Sequence, residues 1–377
     1  MNQGDFKVRP IVIVSANSCW NLVNFRASIL RVLVDHDCRV VAAAPLDSAR
    51  DQLLSMGVEI EPVSVDSLGL SPFRDAALCL QYIRLFRRTR PTAFLGFTAK
   101  PNIFGSIAAR LTGIPAINTI TGLGTAFLSG RALERLVSIL YRTALGGSSR
   151  VFFHNSDDRD LFVAHRLVRP DQTAVVAGSG IDLEYFSPSA NPPVGQPLTF
   201  LFVGRLLKDK GVNEFVEAAA IVGQSVPARF QLLGALEDHP KAVAAVDLQP
   251  RIDDSTVELL GTTTDVRPFI GNADCIVLPS YREGLPRVLL EASAMAKPVI
   301  ASDVPGCRQA VENEVTGLLC RVRSAQSLAD AMLVVAAMTP EQRAAMGRRG
   351  RQKAEAEFSS EQVAAAYVEA LDEIARG

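Results

Sequence analysis

The sequence has few of the residues that build metal centres and disulfide frameworks. Its six cysteines are scattered, none forms a C-x-x-C pair, and several, such as Cys275, lie inside apolar runs. Four histidines without close spacing argue against a zinc site. We therefore expect buried, reduced thiols and no zinc site.

Long apolar runs and a strong charge of one sign are also missing. No run approaches the ~18–20 residues of a membrane span, and the polar N-terminus MNQGDFKVRP has no signal-peptide core. The net charge of −1 argues against a nucleic-acid partner. Residues 1–185 carry 20 basic and 16 acidic side chains, a net charge of +4, whereas the remainder carries 19 and 24, a net charge of −5. We expect a cytoplasmic protein whose first half faces something anionic.

Short β-rich apolar runs alternate with longer helical patterns along the whole chain. This alternation is typical of βαβ units with a parallel sheet, and 377 residues exceed the usual size of one core. The strand candidates are residues 10–16, 38–44, 92–97, 115–120, 150–154 and 173–178, then 198–204, 228–234, 257–261, 274–279 and 298–302. The pattern predicts an α/β protein with two doubly wound, Rossmann-like domains.

A Pro- and Gly-rich segment, SPSANPPVGQP, separates the two halves at 187–197. It predicts an N-terminal domain over 1–186 and a C-terminal domain over 198–357. Residues 358–377 have apolar side chains at helical spacing and predict a final helix. Because ligands bind beyond the carboxyl ends of parallel strands, two facing sheets would bind them in a cleft between the domains.

The stretch SYREGLPRVLLEASAMAKPVIAS (280–302) places two glutamates around the start of a predicted helix. Glu283 lies in the loop after a buried strand, and Glu291 lies inside the helix. Pro286 suits the first helical turn, and the helix dipole favours an anion such as phosphate there. The backbone N–H groups expected to bind it belong to Gly284, Leu285, Arg287 and Val288.

A carboxylate accepts two hydrogen bonds from vicinal hydroxyls of a ribose or hexose ring. The spacing of Glu283 and Glu291 therefore fits a phosphate held between two carboxylates that bind sugar rings. In the alternative interpretation both groups are structural, with Glu283 capping the helix and Glu291 pairing with a nearby arginine or lysine.

The segment GRLLKDKG (204–211) follows another predicted strand. Gly204 begins the turn, and Arg205 and Lys210 both lie before the next helix, which is expected from about Val212. Two cations at the carboxyl end of a strand are suited to neutralise a diphosphate. The alternative is that they are solvated turn residues, which is the interpretation we favour for Lys208.

GRLLKDKG, EGLPRVLLE and AKPVIASDVPGC together resemble the donor-binding half of the retaining glycosyltransferases of family 4. Residues 177–188 and 358–377 are similar to the end of that family's first domain and to its C-terminal helix, which crosses back onto the first domain. Residues 100–127 resemble the branch that builds capsular, exopolysaccharide and O-antigen units on a polyprenyl diphosphate. The resemblance covers nearly the whole chain.

The resemblance implies two facing Rossmann-like domains and a nucleotide-diphosphate sugar as donor, most often one with UDP. It assigns Arg205 and Lys210 to the diphosphate, Glu283 to the donor sugar near the reacting carbon, and Glu291 to the ribose. It further implies transfer to a lipid-linked saccharide with retention of configuration, and a reaction that needs no metal or other cofactor.

On the acceptor side the sequence is less specific. Asn17, after the first strand, is expected to line the cleft, and the turn 121–127, with Thr121 and Gly122, is expected to meet the acceptor. Many relatives have a histidine where Thr121 stands, so a histidine-dependent role is absent or moved. Many also have a turn glycine at the position we align with Lys297.

Residues 80–91 carry Arg84, Arg87 and Arg88 beside apolar side chains on one predicted helix. Such a helix suits peripheral contact with an anionic membrane, although an ordinary arginine-rich surface helix gives the same pattern. Two other functions stay open: a nucleotide-sugar epimerase of the same architecture, and a non-catalytic nucleotide-sugar-binding protein. A nicotinamide-dependent oxidoreductase is disfavoured because no G-x-G-x-x-G follows either first strand.

Overall fold

The computed structural model describes residues 9–66, 71–122, 131–188, 197–235, 242–243 and 245–376. The chain divides into two compact units, Met1–Ser179 with Glu361–Gly377, and Gly180–Ser360. Most of the predicted linker (189–196) and most of the turn 121–127 lie outside the described residues.

Among the described residues, the first unit contains seven strands and six α-helices before its C-terminal part. The strands are β1 (Ile11–Ser15), β2 (Arg39–Ala44), β3 (Glu59–Pro62), β4 (Ala93–Gly96), β5 (Ala116–Ile120), β6 (Arg150–Phe153) and β7 (Thr173–Val175). The helices are α1 (Cys19–Asp35), α2 (Arg50–Ser55), α3 (Pro72–Thr89), α4 (Ser106–Thr112), α5 (Arg131–Leu145) and α6 (Ser156–Ala164). The strands form one parallel sheet in the order β3-β2-β1-β4-β5-β6-β7.

Both faces of this sheet are covered, which explains why its strands are continuous apolar runs in the sequence. Val12 and Val14 of β1 pack with Leu30 of α1 on one face. Ile13, between them, packs with Tyr82 of α3 on the other. Because successive side chains of a strand point to opposite faces of the sheet, one strand contributes to two separate layers of the core.

The second unit repeats the architecture with six parallel strands. They are β8 (Leu198–Val203), β9 (Ala228–Leu233), β10 (Glu258–Gly261), β11 (Cys275–Leu278), β12 (Val299–Ser302) and β13 (Gly317–Cys320). The helices are α7 (Val212–Gly223), α8 (Ala245–Asp253), α9 (Arg267–Asn272), α10 (Arg287–Ala294), α11 (Pro305–Ala310), α12 (Ala325–Ala337) and α13 (Pro340–Glu357). The strand order β10-β9-β8-β11-β12-β13 is that of a Rossmann-like sheet.

The last helix, α14 (Ser360–Arg376), belongs almost wholly to the first unit. Its buried side chains Val363, Ala364 and Tyr367 join the core around α1. The Tyr367 hydroxyl also lies 2.7 Å from the Thr119 hydroxyl of β5. The chain terminus therefore completes the core of the unit in which the chain begins.

The boundary between the units lies ahead of the predicted linker at 187–197. Residues 180–188 belong to the second unit because its helix α13 holds them by their backbone. Arg351 Nη1 donates to the carbonyl oxygens of Leu183, at 3.1 Å, and Phe186, at 3.0 Å. A Pro- and Gly-rich composition does not reveal contacts of this kind.

Each of the eleven predicted apolar runs contains an observed strand, but β3 and β13 were not predicted. Both are edge strands of four residues, EIEP and GLLC. The glutamates and proline of β3 suit an edge, where one side of the backbone has no partner strand. They also hide the apolar pattern on which strand prediction depends.

The left-handed turn position, which a glycine would suit, lies one residue before Lys297. Ala296, not Lys297, has a left-handed backbone, with φ 55°. Lys297 instead donates from Nζ to the carbonyl oxygens of Gly271, at 2.7 Å, and Ala273, at 2.9 Å. Lys297 therefore ties the end of α10 to the end of α9.

All six cysteines are free, and four of them are buried. In the described part of the chain, every helix is too short or too polar to cross a lipid bilayer.

Candidate active site

Lys210 and Glu283 form an ion pair where two neighbouring strands end. Lys210 Nζ lies 2.5 Å from Glu283 Oε1. Lys210 closes a 3₁₀ turn after β8, and Glu283 lies in the loop after β11, the strand that pairs with β8. The next strands along the chain, β9 and β12, lie on opposite sides of this pair. The ion pair thus lies at the topological switch point, where open α/β sheets bind ligands.

Gly211 allows the Lys210 loop to lie directly against the end of β11. Its φ is 75°, and a Cβ at this position would lie 2.1 Å from the carbonyl oxygen of Pro279. Tyr281 N–H also donates to the carbonyl oxygen of Asp209 at 2.9 Å. The two loops are therefore bound to each other through their backbones, which places Lys210 within reach of Glu283.

Gly204 and Arg205 begin the loop that Lys210 ends. Gly204 N–H donates to Leu233 O of β9 at 3.0 Å, which extends the sheet pairing by one residue. The Arg205 side chain is exposed, whereas the Lys210 side chain is only 29% exposed. The loop therefore holds one accessible and one half-buried cation at the same edge of the sheet.

Glu291 lies in α10 and pairs with Arg287 one turn earlier. Arg287 Nε donates to Glu291 Oε1 at 2.9 Å, and Glu291 is only 8% exposed. Burial raises the pKa of the Glu291 carboxyl, and the neighbouring Arg287 guanidinium partly opposes this. This arginine pairing is the one expected from the structural interpretation of Glu291. Glu283, in contrast, bonds to Lys210, an interaction that neither interpretation predicted.

Helix α10 begins at Arg287, immediately after Pro286, whose ψ of 119° is extended rather than helical. The helix therefore begins one residue later than predicted, with Pro286 as the residue before its first turn. Val288 lies in the first turn, where backbone N–H groups have no acceptor within the helix. The N–H of Leu289 already donates to Pro286 O at 3.1 Å.

Gly284 and the buried Leu285 lie just before this helix, above the start of α11. A Cβ on Gly306 would lie 2.5 Å from Gly284 O, so the β12 loop packs directly against the Glu283 loop. Three strands, β8, β11 and β12, thus contribute loops to one small region.

Two residues that bind these loops together were not singled out from the sequence. The Tyr281 hydroxyl donates to Glu214 Oε1 of α7 at 2.6 Å. Burial, followed by this hydrogen bond, raises the pKa of Tyr281. Their only sequence signal is position: Tyr281 lies two residues before Glu283, and Glu214 lies four residues after Lys210.

In the first unit, Asn17 follows β1, and Thr121 and Gly122 follow β5. They lie at the carboxyl edge of one sheet, and the side-chain oxygen of Asn17 is buried without a hydrogen-bond partner among the residues that the structure describes. His154 follows β6 at the same edge and is 5% exposed; burial lowers its pKa, with a smaller effect of Arg26. A histidine therefore does lie at this edge, one strand beyond Thr121.

Two family models match the two halves of the chain. Residues 25–178 match the glycosyl transferase 4-like domain, and residues 197–337 match the glycosyl transferases group 1 domain. HepE from Anabaena, solved in complex with UDP, has a TM-score of 0.80 at 18% identity, over 97% of this chain and 100% of that one.

Two curated proteins are similar along most of their length. The N,N'-diacetylbacillosaminyl-diphospho-undecaprenol alpha-1,3-N-acetylgalactosaminyltransferase of Campylobacter jejuni is 25% identical over 82% of this chain and 85% of its own. The UDP-Gal:alpha-D-GlcNAc-diphosphoundecaprenol alpha-1,3-galactosyltransferase of Escherichia coli is 26% identical over 71% and 72%.

Two parallel-sheet, Rossmann-like units define the fold class of the GT-B glycosyltransferases. The paired models and these relatives place the chain within that class: it belongs to glycosyltransferase family 4, as the sequence motifs predicted. The chain is a glycosyltransferase.

Proposed function

We propose that the protein transfers a hexose or N-acetylhexosamine from a nucleotide-diphosphate sugar, with UDP as the nucleotide, to a lipid-linked saccharide. The ion pair of Lys210 and Glu283 at the switch point of the second unit carries this proposal. The names of the two curated relatives support the acceptor, since both refer to saccharides on diphospho-undecaprenol. The product would enter a surface polysaccharide such as capsule or O-antigen.

The reaction breaks a sugar–phosphate bond, so negative charge develops on the departing diphosphate. Arg205 and Lys210 would receive that charge, and a well-placed donor of this kind commonly contributes about 3–4 kcal/mol. Lys210 Nζ already lies 2.5 Å from an oxyanion, the carboxylate of Glu283. A phosphate oxygen would replace that carboxylate and release Glu283 to accept hydrogen bonds from the donor sugar.

Helix α10 would bind the other end of the donor. Val288 in its first turn offers a backbone N–H to the diphosphate. Glu291 would accept hydrogen bonds from the ribose hydroxyls through Oε2, while Oε1 keeps its bond from Arg287. The Arg287 pairing would then orient the carboxylate for the ribose rather than compete with it.

The acceptor would bind to the first unit, near Asn17, Thr121 and Gly122. The net charge of +4 over residues 1–185 suits an acceptor that carries a diphosphate. We further propose retention of configuration, with an α-linked product from an α-linked donor, and no metal ion in the reaction.

The proposal is tested by incubating the protein with UDP- and GDP-sugars and a synthetic polyprenyl-diphosphate saccharide, in the presence of EDTA. We expect one donor to extend the acceptor by one sugar, detected by mass spectrometry, with an α-anomeric coupling in the NMR spectrum. Transfer that needed added Mg²⁺ or Mn²⁺ would contradict the metal-independent reaction. A β-linked product would contradict retention.

A parallel reaction without acceptor separates the other functions. An epimerase would convert UDP-N-acetylglucosamine on its own, whereas a transferase leaves the sugar configuration of the donor unchanged. Binding of UDP without turnover of any donor would favour a non-catalytic nucleotide-sugar-binding protein.

A further inference from the structure

Tyr281 connects the two loops that carry the ion pair. Its backbone N–H donates to Asp209 O, next to Lys210, and its hydroxyl donates to Glu214 Oε1 at 2.6 Å. Glu214 lies in the first turn of α7, directly after the Lys210 loop. The hydroxyl bond joins residues 67 positions apart, above the edge of the sheet.

A third loop completes the surroundings of the Tyr281 ring. The guanidinium of Arg323, after β13, lies 4.6 Å from the ring centroid, which is a cation–π distance. The ring is thus held by Arg323 on its face and by Glu214 at its hydroxyl. This fixes the direction in which the loop leaves Tyr281 toward Glu283.

The β8–β11 ladder does not need the hydroxyl bond, because backbone pairing already joins the strands beneath it. The bond acts above the ladder, on the part of each loop that faces the ligand side. Glu214 Oε2 is buried and has no hydrogen-bond partner among the described residues. Tyr281 therefore donates a hydrogen bond to a carboxylate whose other oxygen has no partner among the described residues. Losing the hydroxyl would loosen both loops together, although the backbone bond from Tyr281 N–H to Asp209 O remains.

We propose that Tyr281 and Glu214 are positioning residues, which hold the Lys210 loop against the Glu283 loop. They would thereby set the positions of Lys210 and Glu283 around the sugar–phosphate bond that breaks. The inference rests on the proposed function of this site. Neither residue needs to touch the donor. Their effect is on the placement of Lys210 and Glu283, where displacements of about 1 Å lower rates by up to about a hundredfold.

The test measures kcat and UDP affinity in Tyr281→Phe, with rates normalised to the fraction of protein that binds UDP. We expect kcat to fall at least about tenfold while the Kd for UDP changes less than about threefold, because Glu291 and α10 remain in place. Tyr185→Phe is the matched control: it removes a hydroxyl from a half-exposed tyrosine that packs on Arg267, and it should match wild type.

Variants of Glu214 show whether the hydroxyl bond itself matters. Glu214→Gln keeps an acceptor for the Tyr281 hydroxyl and should lie closer to wild type than Glu214→Leu. The double variant Tyr281→Phe/Glu214→Leu should be no slower than the slower of the two single variants, because both substitutions remove the same bond. Wild-type kcat in Tyr281→Phe, or full additivity in the double variant, would overturn the inference.

A readout without turnover separates this inference from the proposed function. By hydrogen–deuterium exchange of the ligand-free protein, Tyr281→Phe should speed exchange in residues 208–214 and 280–285 together, and Tyr185→Phe should not. If wild type transferred no sugar from any donor, the proposed function would fail. Faster exchange in both segments of Tyr281→Phe would then still support the inference that the Tyr281 hydroxyl holds the two loops together. Unchanged exchange would contradict that inference as well.

Discussion

The ammonium of Lys210 lies 2.5 Å from the carboxylate of Glu283, although 73 residues separate them in the sequence. Each group comes from the loop after one of two paired strands, β8 and β11. The Glu283 side chain is only 11% exposed and that of Lys210 is 29% exposed, so the carboxylate is the better shielded of the two groups. A ligand that enters here has to offer each group a new partner, which the proposed nucleotide-diphosphate sugar would do.

Removal of the cations should slow transfer far more than it changes folding. We expect Lys210→Ala and Arg205→Ala each to lower kcat at least about a hundredfold, because charge on the leaving diphosphate is no longer stabilised. Steady-state kinetics with the best donor, together with thermal unfolding of each variant, checks this.

Lys208 provides the matched control for these variants. It lies in the same turn, and its side chain is exposed. Lys208→Ala should keep wild-type kcat. Unchanged transfer in both Arg205→Ala and Lys210→Ala would defeat the assignment of the diphosphate site.

Substitutions of Glu291 and Glu283 should affect different steps, the first UDP binding and the second sugar transfer. Glu291→Ala is expected chiefly to weaken UDP binding, measured by calorimetry, because the ribose loses its acceptor. Glu283→Ala is expected to abolish transfer while UDP still binds, because its role concerns the donor sugar. Full activity in both variants would instead support the structural interpretation of the two glutamates.

Glu291 should also make stability depend on pH. Burial raises the pKa of Glu291 above its ordinary value of 4.5, so the folded protein holds the proton longer than the unfolded chain does. The stabilisation from this proton is complete below pH 4.5 and is lost as the pH rises through the higher, folded pKa. Glu291→Gln lacks this loss, and its amide oxygen can still accept from Arg287. Its melting temperature relative to wild type should therefore rise as the pH increases from 4.5 through the folded pKa. A difference that stayed constant over the whole pH series would contradict this.

Much of this site could be predicted because its residues lie beside strong local signals. Buried strands followed by Gly204 and by Gly284 mark loops at a carboxyl edge, and Arg205, Lys210 and Glu283 stand in those loops. The contact between Lys210 and Glu283 was not predicted, because local sequence patterns do not reveal the order of the strands in a sheet. Tyr281 and Glu214 were missed for the same reason.

Helix α3 should mediate contact with an anionic membrane. Its first half exposes Phe73, at 89%, and Leu80, at 51%. Arg84 and Arg87 are exposed in its second half, while Arg88 pairs with Glu61. We expect the protein to bind phosphatidylglycerol vesicles at low salt and to dissociate as salt screens the arginines.

Charge reversal tests which surface is responsible. Arg84→Glu/Arg87→Glu should weaken vesicle binding in a sedimentation assay, whereas Arg348→Glu, at an exposed position of α13, should not. Absence of wild-type binding at low salt, or equal loss in both variants, would count against the role of α3.

Ala296 should be a site where glycine is more stable than the native residue. Helix α10 ends with the bonds Ala296 N–H to Ser293 O and Lys297 N–H to Ala292 O, both at 2.9 Å. This is a Schellman ending, whose left-handed position usually holds glycine. Ala296 occupies it with φ 55°, and a left-handed conformation costs an L-residue roughly 1–2 kcal/mol.

Ala296→Gly removes this strain but gives the unfolded chain more freedom, which offsets roughly 0.4–1 kcal/mol of the gain. We expect a net stabilisation of about 0.5–1 kcal/mol in chemical unfolding, with unchanged transfer activity. Ala294→Gly, inside the same helix, should instead destabilise by roughly 0.5–1 kcal/mol, because a helical glycine loses more entropy on folding. If both variants were destabilised alike, the φ of Ala296 would not be a source of strain, and the helix would end there for reasons of packing alone.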